Sequence, residues 1–250
     1  MSKKLLALFG GGCQVSPDGT WVPTPDLEVW PLGKNGGRSL MVLPPNDDDP
    51  NSVIGMGQLI LEAGVIDYSL DQPNSVAIAY GDSSPSLLID GQSSENEIMS
   101  YLFKERIPNA KVEIFDPAEW KSERKLSGTY NEAANLLRLV RRDMFDEMVI
   151  VRREVHLRPI IFTMMRLNEP EFADLKDKVS AGELHIQERT VESILWNANS
   201  GEYHERINSI HRSRSYQRSL LREGNALMNF GEGITQIIQK SQEQTAPAAK

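Results

Sequence analysis

Short apolar runs alternate along the chain with longer segments of helical periodicity. The short runs are closed by glycine, proline or aspartate, and this pattern predicts β-strands at residues 4–9, 76–80, 87–90, 111–115 and 148–151. Apolar positions three and four residues apart predict helices at residues 53–63, 94–106, 129–142 and 159–165. Because strands that alternate with helices are typical of parallel sheets, the pattern predicts an α/β fold with a Rossmann-like, mostly parallel sheet flanked by helices.

Local signals define several helix ends. Ser94 followed by Glu97 predicts a capping box at the start of the second helix. Pro159 suits the first turn of the fourth helix, and Gly64 is predicted to end the first one. Additional strands are predicted at residues 39–43 and 183–187.

The pattern changes after residue 170, where helical segments predominate at residues 190–197, 203–214, 216–230 and 234–242. We predict a domain at residues 1–199 with a long irregular insertion near residues 13–52, a packed helical extension at residues 200–242 and a disordered tail at residues 243–250. The apolar positions of the extension predict a face buried against the α/β body, formed by Ile207, Ile210, Leu220, Leu221, Leu227 and Phe230.

Composition narrows the possible functions. The 250 residues are 40% hydrophobic, which is enough for a substantial core, and the net charge of -8 argues against binding nucleic acid over the whole surface. The one cysteine excludes an intramolecular disulfide and a cysteine-rich zinc site. The apolar run at residues 5–9 is far shorter than the roughly 20 residues of a membrane span, so we expect a soluble cytoplasmic protein with no membrane partner.

Four loops that follow predicted strands carry the candidate binding residues. Ligands of open parallel sheets bind beyond the carboxyl ends of the strands, where helix N-termini offer donors to anions. The first loop is Gly10, Gly11 and Gly12, which either approaches a ligand or makes a tight turn. The dinucleotide fingerprint is incomplete here, because Val15 takes the place of its third glycine.

The second and third loops each begin a predicted helix. The candidate ligand-binding residues of the second are Asp90, Gly91 and Gln92, with Glu95 as a candidate for proton transfer. In the third, Ser127 and Thr129 could hold phosphate or carboxylate at a helix N-terminus, or serve only as a cap.

The fourth loop follows the strand at residues 148–151. Arg153 and Arg158 suit an anionic ligand, and His156 could transfer a proton or be a packed polar side chain. The other histidines lack the spacing of metal ligands, so no metal site is predicted.

An arginine-rich segment lies in the C-terminal helices and contains Arg206, Arg212, Arg214, Arg218 and Arg222. Such a strip could bind RNA or a phosphorylated ligand. The solvated face of a helical pair is the favoured interpretation, because nearby glutamates offset part of the charge.

Taken in order, several segments resemble the YdcF/SanA/ElyC-like family. They are LLALFGGG with the later Asp18-Gly19, LLIDGQSSENEIM, GTYNEAANL and VIVRREVHLRPIIF, which span residues 4–166. The resemblance implies a Rossmann-like domain of a family in which most members have no assigned reaction. Two differences stand out: Asn131 and Glu132 reverse the family's Glu-Asn order, and Arg158 follows His156 by two residues where the family usually has three.

We therefore expect a small-molecule enzyme, a hydrolase or a transferase, that acts on or with a phosphate-bearing or nucleoside-like ligand. In this hypothesis the Gly10 loop and the helix start at Thr129 hold the anion, the two loop arginines neutralise it, and Glu95 or His156 transfers a proton. The alternatives are a non-catalytic ligand sensor or accessory protein, and a structural protein that binds nucleic acid or protein through the arginine strip. The sequence indicates neither a cofactor nor an oligomeric state.

Overall fold

The computed structural model of the chain describes residues 2–10, 12–16, 18, 20–29, 46–50, 52–55, 57–81, 94–116, 128–198 and 201–245. The strands are β1 (Lys4–Leu8), β2 (Cys13–Val15), β3 (Trp21–Pro23), β4 (Leu27–Val29), β5 (Ser52–Ile54), β6 (Ser75–Ile78), β7 (Val112–Glu113), β8 (Glu147–Arg152) and β9 (His185–Thr190). The helices are α1 (Gly57–Asp71), α2 (Glu95–Arg106), α3 (Gly128–Asp143), α4 (Arg158–Leu167), α5 (Ala173–Ser180), α6 (Val191–Asn197), α7 (Gly201–Arg212) and α8 (Arg214–Thr245). A short 3-10 helix, Pro170–Phe172, precedes α5.

Five parallel strands form the central sheet of the described residues, in the order β7-β6-β1-β8-β9. In β1, Leu5 pairs with both Ser75 and Met148, so this strand is hydrogen-bonded to a neighbour on each side. Helices connect the strands, as parallel pairing requires. The Rossmann-like α/β fold predicted from the sequence is therefore confirmed.

Each face of the sheet is covered by helices, and alternate residues of β1 contact the two layers. Leu6 and Leu8 pack into a cluster with α1, α2, α6 and α7, whereas Leu5 and Ala7 pack into a second cluster with α3, α4 and α5. A strand buried on both faces is apolar throughout rather than alternating, which explains the continuous run of residues 5–9.

The insertion after β1 forms two small antiparallel ribbons, β2 with β3 and β4 with β5. Its later part caps α8: the Asp47 carboxylate accepts hydrogen bonds from the backbone N–H groups of Arg214 at 2.9 Å and Ser215 at 2.8 Å. Because the first amides of a helix have no partner inside the helix, Asp47 acts as an N-cap supplied by a distant segment.

The C-terminal helix α8 crosses from one face of the sheet to the other. Tyr216 packs against the cluster of α1 and α6, whereas Leu227 and Phe230 pack against the cluster of α3 and α4. Between these positions, Glu223 contacts Arg158 at the start of α4. The middle of α8 therefore passes the loop that follows β8.

Most sequence-based boundaries agree with the structure. The capping box of Ser94 and Glu97 is present, and α4 begins around Pro159 as expected. The strands predicted at residues 39–43 and 87–90 lie outside the described residues, as do residues 246–250 of the predicted tail. The proposed domain boundaries remain predictions.

Two predictions about the helices were wrong. The segment at residues 53–63 is not one helix, because β5 precedes α1, and α1 continues through Gly64 to Asp71. Likewise, residues 216–230 and 234–242 belong to the single helix α8. In the predicted buried face, Ile207 and Ile210 are buried, but Leu220 and Leu221 are 41% and 68% exposed.

Gly64 lies inside α1 because the helix approaches the sheet closely there. A Cβ at this position would lie 2.4 Å from Leu8 Cδ1 and 3.2 Å from Phe103 Cε2. Close packing therefore outweighs the intrinsic cost of glycine in a helix, which is about 1 kcal/mol relative to alanine.

No helix in the described ranges contains a stretch that is long and apolar enough to cross a membrane.

We expect Gly64→Ala to lower the free energy of unfolding by about 1–3 kcal/mol, because the methyl group would overpack the contact with Leu8. The matched control is Gly224→Ala in α8, where an added Cβ meets nothing within 4 Å. There the better helix propensity of alanine should raise stability by up to about 1 kcal/mol. Urea denaturation of both variants measures the difference, and equal shifts would contradict the packing argument.

Candidate functional site at the carboxyl edge of the sheet

The strand order reverses between β1 and β8. The connections from β1 lead to β6 and then β7 on one side, whereas β8 and β9 lie on the other. Ligands of open α/β sheets bind in the crevice that this arrangement leaves at the carboxyl ends of the strands. The segments placed there are the turn at Gly10, residues 79–81, the loop at residues 153–157 and the N-termini of α2, α3 and α4.

The backbone is specialised after two of these strands. Gly10 has a φ of 72°, a conformation that glycine adopts without steric cost. After β6, Ala79 has a φ of 46°, although it carries a side chain. Such a conformation costs about 1–3 kcal/mol and is found preferentially at functional sites. Its carbonyl accepts the Gly81 N–H at 2.8 Å, which turns the chain sharply toward α3.

Glu132 lies in the first turns of α3 with its side chain in the interior. Gly81 makes this position possible, since a Cβ on Gly81 would lie 3.0 Å from Glu132 Cβ. Burial raises the pKa of Glu132 to about 8, and the negative charge of Glu95 reinforces this shift. A hydrogen bond from the Tyr80 backbone N–H and the positive charge of Arg158 act in the opposite direction and lower the pKa. Oε1 of Glu132 has no hydrogen-bond partner among the described residues. This carboxyl group is therefore protonated at neutral pH, and within the described ranges one of its oxygens accepts no hydrogen bond.

His156 lies in the loop after β8 and is 4% exposed. Burial, together with the charges of Arg158, Arg152 and Arg153, lowers its pKa to about 3. The imidazole is therefore neutral at physiological pH. Within the described residues, neither ring nitrogen has a hydrogen-bond partner.

Arg158 opens α4 and is held by α8. Its backbone N–H and its Nε each donate a hydrogen bond of 2.8 Å to the carboxylate of Glu223. The Arg158 side chain is 28% exposed and the Glu223 side chain 7%. The charge of Arg158 influences the pKa values of both Glu132 and His156, which places these three groups in one electrostatic cluster.

The charges of Glu95 and Arg158 both act on Glu132, and the charge of Arg158 also acts on His156. Glu95 is the first residue of α2, and its carboxylate contributes to the raised pKa of Glu132. Thr129 is half-buried in the first turn of α3, three residues before Glu132. The expectation that these loops line one cleft remains a prediction, and five of its residues lie outside the described ones: Gly11, Asp90, Gly91, Gln92 and Ser127.

Gly12 has a packing role. Its carbonyl accepts the Thr24 N–H at 2.8 Å, and a Cβ on Gly12 would lie 2.9 Å from Thr24 Cγ2. Gly12 precedes β2 and Thr24 follows β3, so this contact closes the first ribbon of the insertion.

Arg153 is fully buried and already neutralised. Its Nε donates to Glu192 at 2.6 Å, and another guanidinium nitrogen donates to the Gly55 carbonyl at 2.7 Å. The second oxygen of Glu192 accepts the Glu154 N–H at 3.0 Å. These contacts join β8 to α6 and to the start of α1, so we leave Arg153 out of the proposed anion site.

The arginine strip contributes intramolecular contacts. Arg206 donates to Asp26 at 2.7 Å and to Glu62 at 2.6 Å, and Arg214 donates to Asp48 at 2.6 Å. Arg218 donates to the Ser52 carbonyl at 2.9 Å. Much of the positive charge of the strip is thus used to hold the insertion against the C-terminal helices.

Two open clefts of about 480 and 500 Å³ lie between the insertion and α7. They share Leu27 and Ser209, and Arg206 in one of them already pairs with Asp26. Neither cleft is lined by a residue of the carboxyl-edge cluster. In the described part of the chain, no group of three His, Cys, Asp or Glu side chains is arranged to hold a metal ion.

Glu132 was not among the catalytic candidates from the sequence. Its signal was nevertheless present: Glu132, Leu136 and Leu139 occur at helical spacing, which places the glutamate on the buried face of α3. An acidic residue on an apolar helix face is costly unless it is neutral or paired, and such positions are functional candidates.

The opposite pKa shifts of Glu132 and His156 predict a characteristic pH dependence of stability. The folded protein retains a proton on Glu132 up to a pKa of about 8, whereas the unfolded chain loses it near 4.5, so stability falls as the pH rises between these values. His156 binds its proton near 6.5 when unfolded but only near 3 when folded, so stability falls as the pH decreases between these values. The two effects oppose each other from about pH 4.5 to 6.5.

Glu132→Gln should remove the first effect. As the pH rises from 5 to 7.5, the wild type should lose stability relative to the variant by about 1 kcal/mol per pH unit. Urea denaturation across this range measures it, with the exposed Glu183→Gln as the control that should follow the wild type. A constant difference would show that Glu132 titrates as an ordinary glutamate.

Comparison with known proteins returned no match to a family model, a curated protein or a solved structure. The fold assignment rests on the strand order and helix layers described above.

Proposed function

We propose that this protein is a small-molecule enzyme that acts on or with a phosphate-bearing or nucleoside-like ligand at the carboxyl edge of its Rossmann-like sheet. The reaction class is hydrolysis or group transfer. The observation that supports this most directly is the buried carboxyl group of Glu132, with a pKa of about 8 and an oxygen that has no partner among the described residues.

Proton transfer is the chemistry that Glu132 fits best. A general acid or base works best when its pKa is close to the operating pH, and such groups contribute typically 10²- to 10⁴-fold to a rate. Glu132 is mostly protonated at pH 7, so it can donate a proton to a leaving group and recover it afterwards. This role replaces the one that the sequence suggested for Glu95, whose carboxylate instead helps to keep Glu132 protonated.

Neutral His156 and cationic Arg158 complete the proposed site. With a pKa of about 3, His156 is a poor proton acceptor at neutral pH, but its ring can orient a ligand by hydrogen bonding. Arg158 provides the positive charge for an anionic group, at the start of a helix where backbone N–H groups favour anions. The turn at Gly10 and the start of α3 at Thr129 complete the proposed binding site at the same edge of the sheet.

The resemblance to the YdcF/SanA/ElyC-like family agrees with this proposal. The GTYNEAANL segment of that resemblance contains Glu132, and the VIVRREVHLRPIIF segment contains His156 and Arg158. Membership of the family is itself part of the proposal.

A non-catalytic ligand sensor is the second candidate, and the contact between Arg158 and Glu223 favours it. This ion pair links the proposed anion site to α8, so occupancy of the site could alter the packing of the C-terminal helix. The sensor requires binding at the same edge but no turnover.

A thermal-shift screen identifies the ligand class. The panel comprises nucleotides, nucleotide sugars, S-adenosylmethionine and phosphorylated metabolites, because a ligand that binds only the folded state raises its melting temperature. For each ligand that binds, product formation is then followed with the wild type, Glu132→Gln and the exposed control Glu183→Gln.

For an enzyme, Glu132→Gln should lower kcat by about 10²- to 10⁴-fold with little change in ligand affinity, since the amide keeps the shape but cannot donate a proton as a carboxylic acid does. Glu183→Gln should retain wild-type kcat. Turnover that is unchanged in Glu132→Gln would reject the role of this residue. Ligand binding without any turnover by the wild type would select the sensor.

A further inference from the structure

The N-terminus of α4 is occupied by a carboxylate from another part of the chain. Leu157 at the N-cap position makes no side-chain hydrogen bond to the helix. Glu223 of α8 accepts the Arg158 backbone N–H and the Arg158 Nε–H, each at 2.8 Å. A helix amide and a guanidinium thus bind one carboxylate, as they would bind an anionic group of a ligand.

The place of this contact in the fold matters as much as its geometry. The loop that carries it follows β8, next to the point where the strand order reverses. In open α/β sheets, this is the position of the ligand crevice. A structural cap needs no such location, since α4 could be capped by a residue of its own loop.

A second observation is independent of the helix terminus. His156 precedes Arg158 by two residues and is buried, and neither of its ring nitrogens has a hydrogen-bond partner in the described part of the chain. Both residues belong to the short segment that joins β8 to the start of α4. Buried polar groups are normally paired, so a buried imidazole that has no partner among the described residues, at the entry to α4, supports a ligand-binding position there.

We propose that Glu223 occupies the subsite for the anionic group of the ligand, and that a phosphate group displaces it when the ligand binds. The inference rests on the proposed function and adds its regulation, because α8 provides a carboxylate that competes with the ligand for Arg158. The carboxylate is the natural mimic of a phosphate, because both accept bidentate hydrogen bonds from arginine.

Displacement requires only a local change in α8. Beyond Glu223, the helix remains attached by Phe230, whose ring lies 4.4 Å from the Phe162 ring and 4.8 Å from the Tyr130 ring, measured between centroids. Before Glu223, Ser215 and Arg218 hold the helix to the insertion. Glu223 can therefore leave Arg158 while both ends of this segment stay in place.

The first test is the affinity for inorganic phosphate, measured by calorimetric titration of the full chain. Glu223→Gln keeps the shape of the side chain but removes its charge, so phosphate should bind on the order of 10- to 100-fold more tightly than to the wild type. The exposed Glu205→Gln in α7 removes the same charge elsewhere and should bind phosphate as the wild type does. Adding Arg158→Ala to Glu223→Gln should abolish the gain.

The second test uses the wild type and does not depend on the folding of a variant. Saturating phosphate should slow amide hydrogen exchange at residues 158–161 and accelerate it at residues 220–226, because the anion replaces Glu223 at α4. Equal phosphate affinities of the wild type, Glu223→Gln and Glu205→Gln would overturn the proposal. Slower exchange in both segments would overturn it too, since α8 would then be held more tightly by the ligand.

These tests are separate from those of the proposed function, because neither requires turnover. A gain in phosphate affinity in Glu223→Gln, combined with unchanged turnover in Glu132→Gln, would reject the catalytic role and keep the competitor. The reverse combination would keep the enzyme and reject the competitor.

Discussion

The pairing of β1 with a parallel neighbour on each side is the constraint on which the rest of the structure depends. Because β1 is hydrogen-bonded to both β6 and β8, it has no exposed edge, and both of its faces are covered by helices. The chain runs from β1 to β6 and β7 on one side and then crosses through α3 to β8 on the other, which opens the crevice beyond Gly10. Glu132, His156 and Arg158 are near one another because the elements that carry them all begin or end at this edge.

Charge in the interior has two different uses in this protein. Arg153 and Glu192 form a buried ion pair, and removing one partner of such a pair is strongly destabilising because the other charge is left unpaired. Glu132 avoids an unpaired buried charge in a different way, because its raised pKa keeps the carboxyl group protonated. The first arrangement fixes the position of α6, whereas the second leaves a titratable group at the carboxyl edge that is available for chemistry.

The sequence predicted what local patterns determine. The strand at residues 148–151, the capping box at Ser94 and the start of α4 at Pro159 are encoded by neighbouring residues, and the structure contains all three. The positions of His156 and Arg158 at a strand end followed from the same logic. What the sequence did not show depends on tertiary contacts: Gly64 continues its helix because Leu8 lies against it, and Arg158 has its partner 65 residues away in Glu223. Leu220 and Leu221 have the spacing of a buried helix face, but other residues of α8 make its contacts with the rest of the described structure.

The cap that Asp47 provides for α8 has a consequence for the order of events during synthesis. Asp47 and Ser215 are separated by 168 positions, so the insertion is made long before the helix that it caps. Until the C-terminal segment has left the ribosome, the carboxylate of Asp47 has no α8 amides to bind, and the arginines that anchor the insertion are also missing. Contacts of such long range form late, after the loop between them has closed. The α/β body is thus complete in sequence before the contacts with α8 can form, and the nascent chain carries an insertion that lacks these contacts beside the carboxyl edge of the sheet.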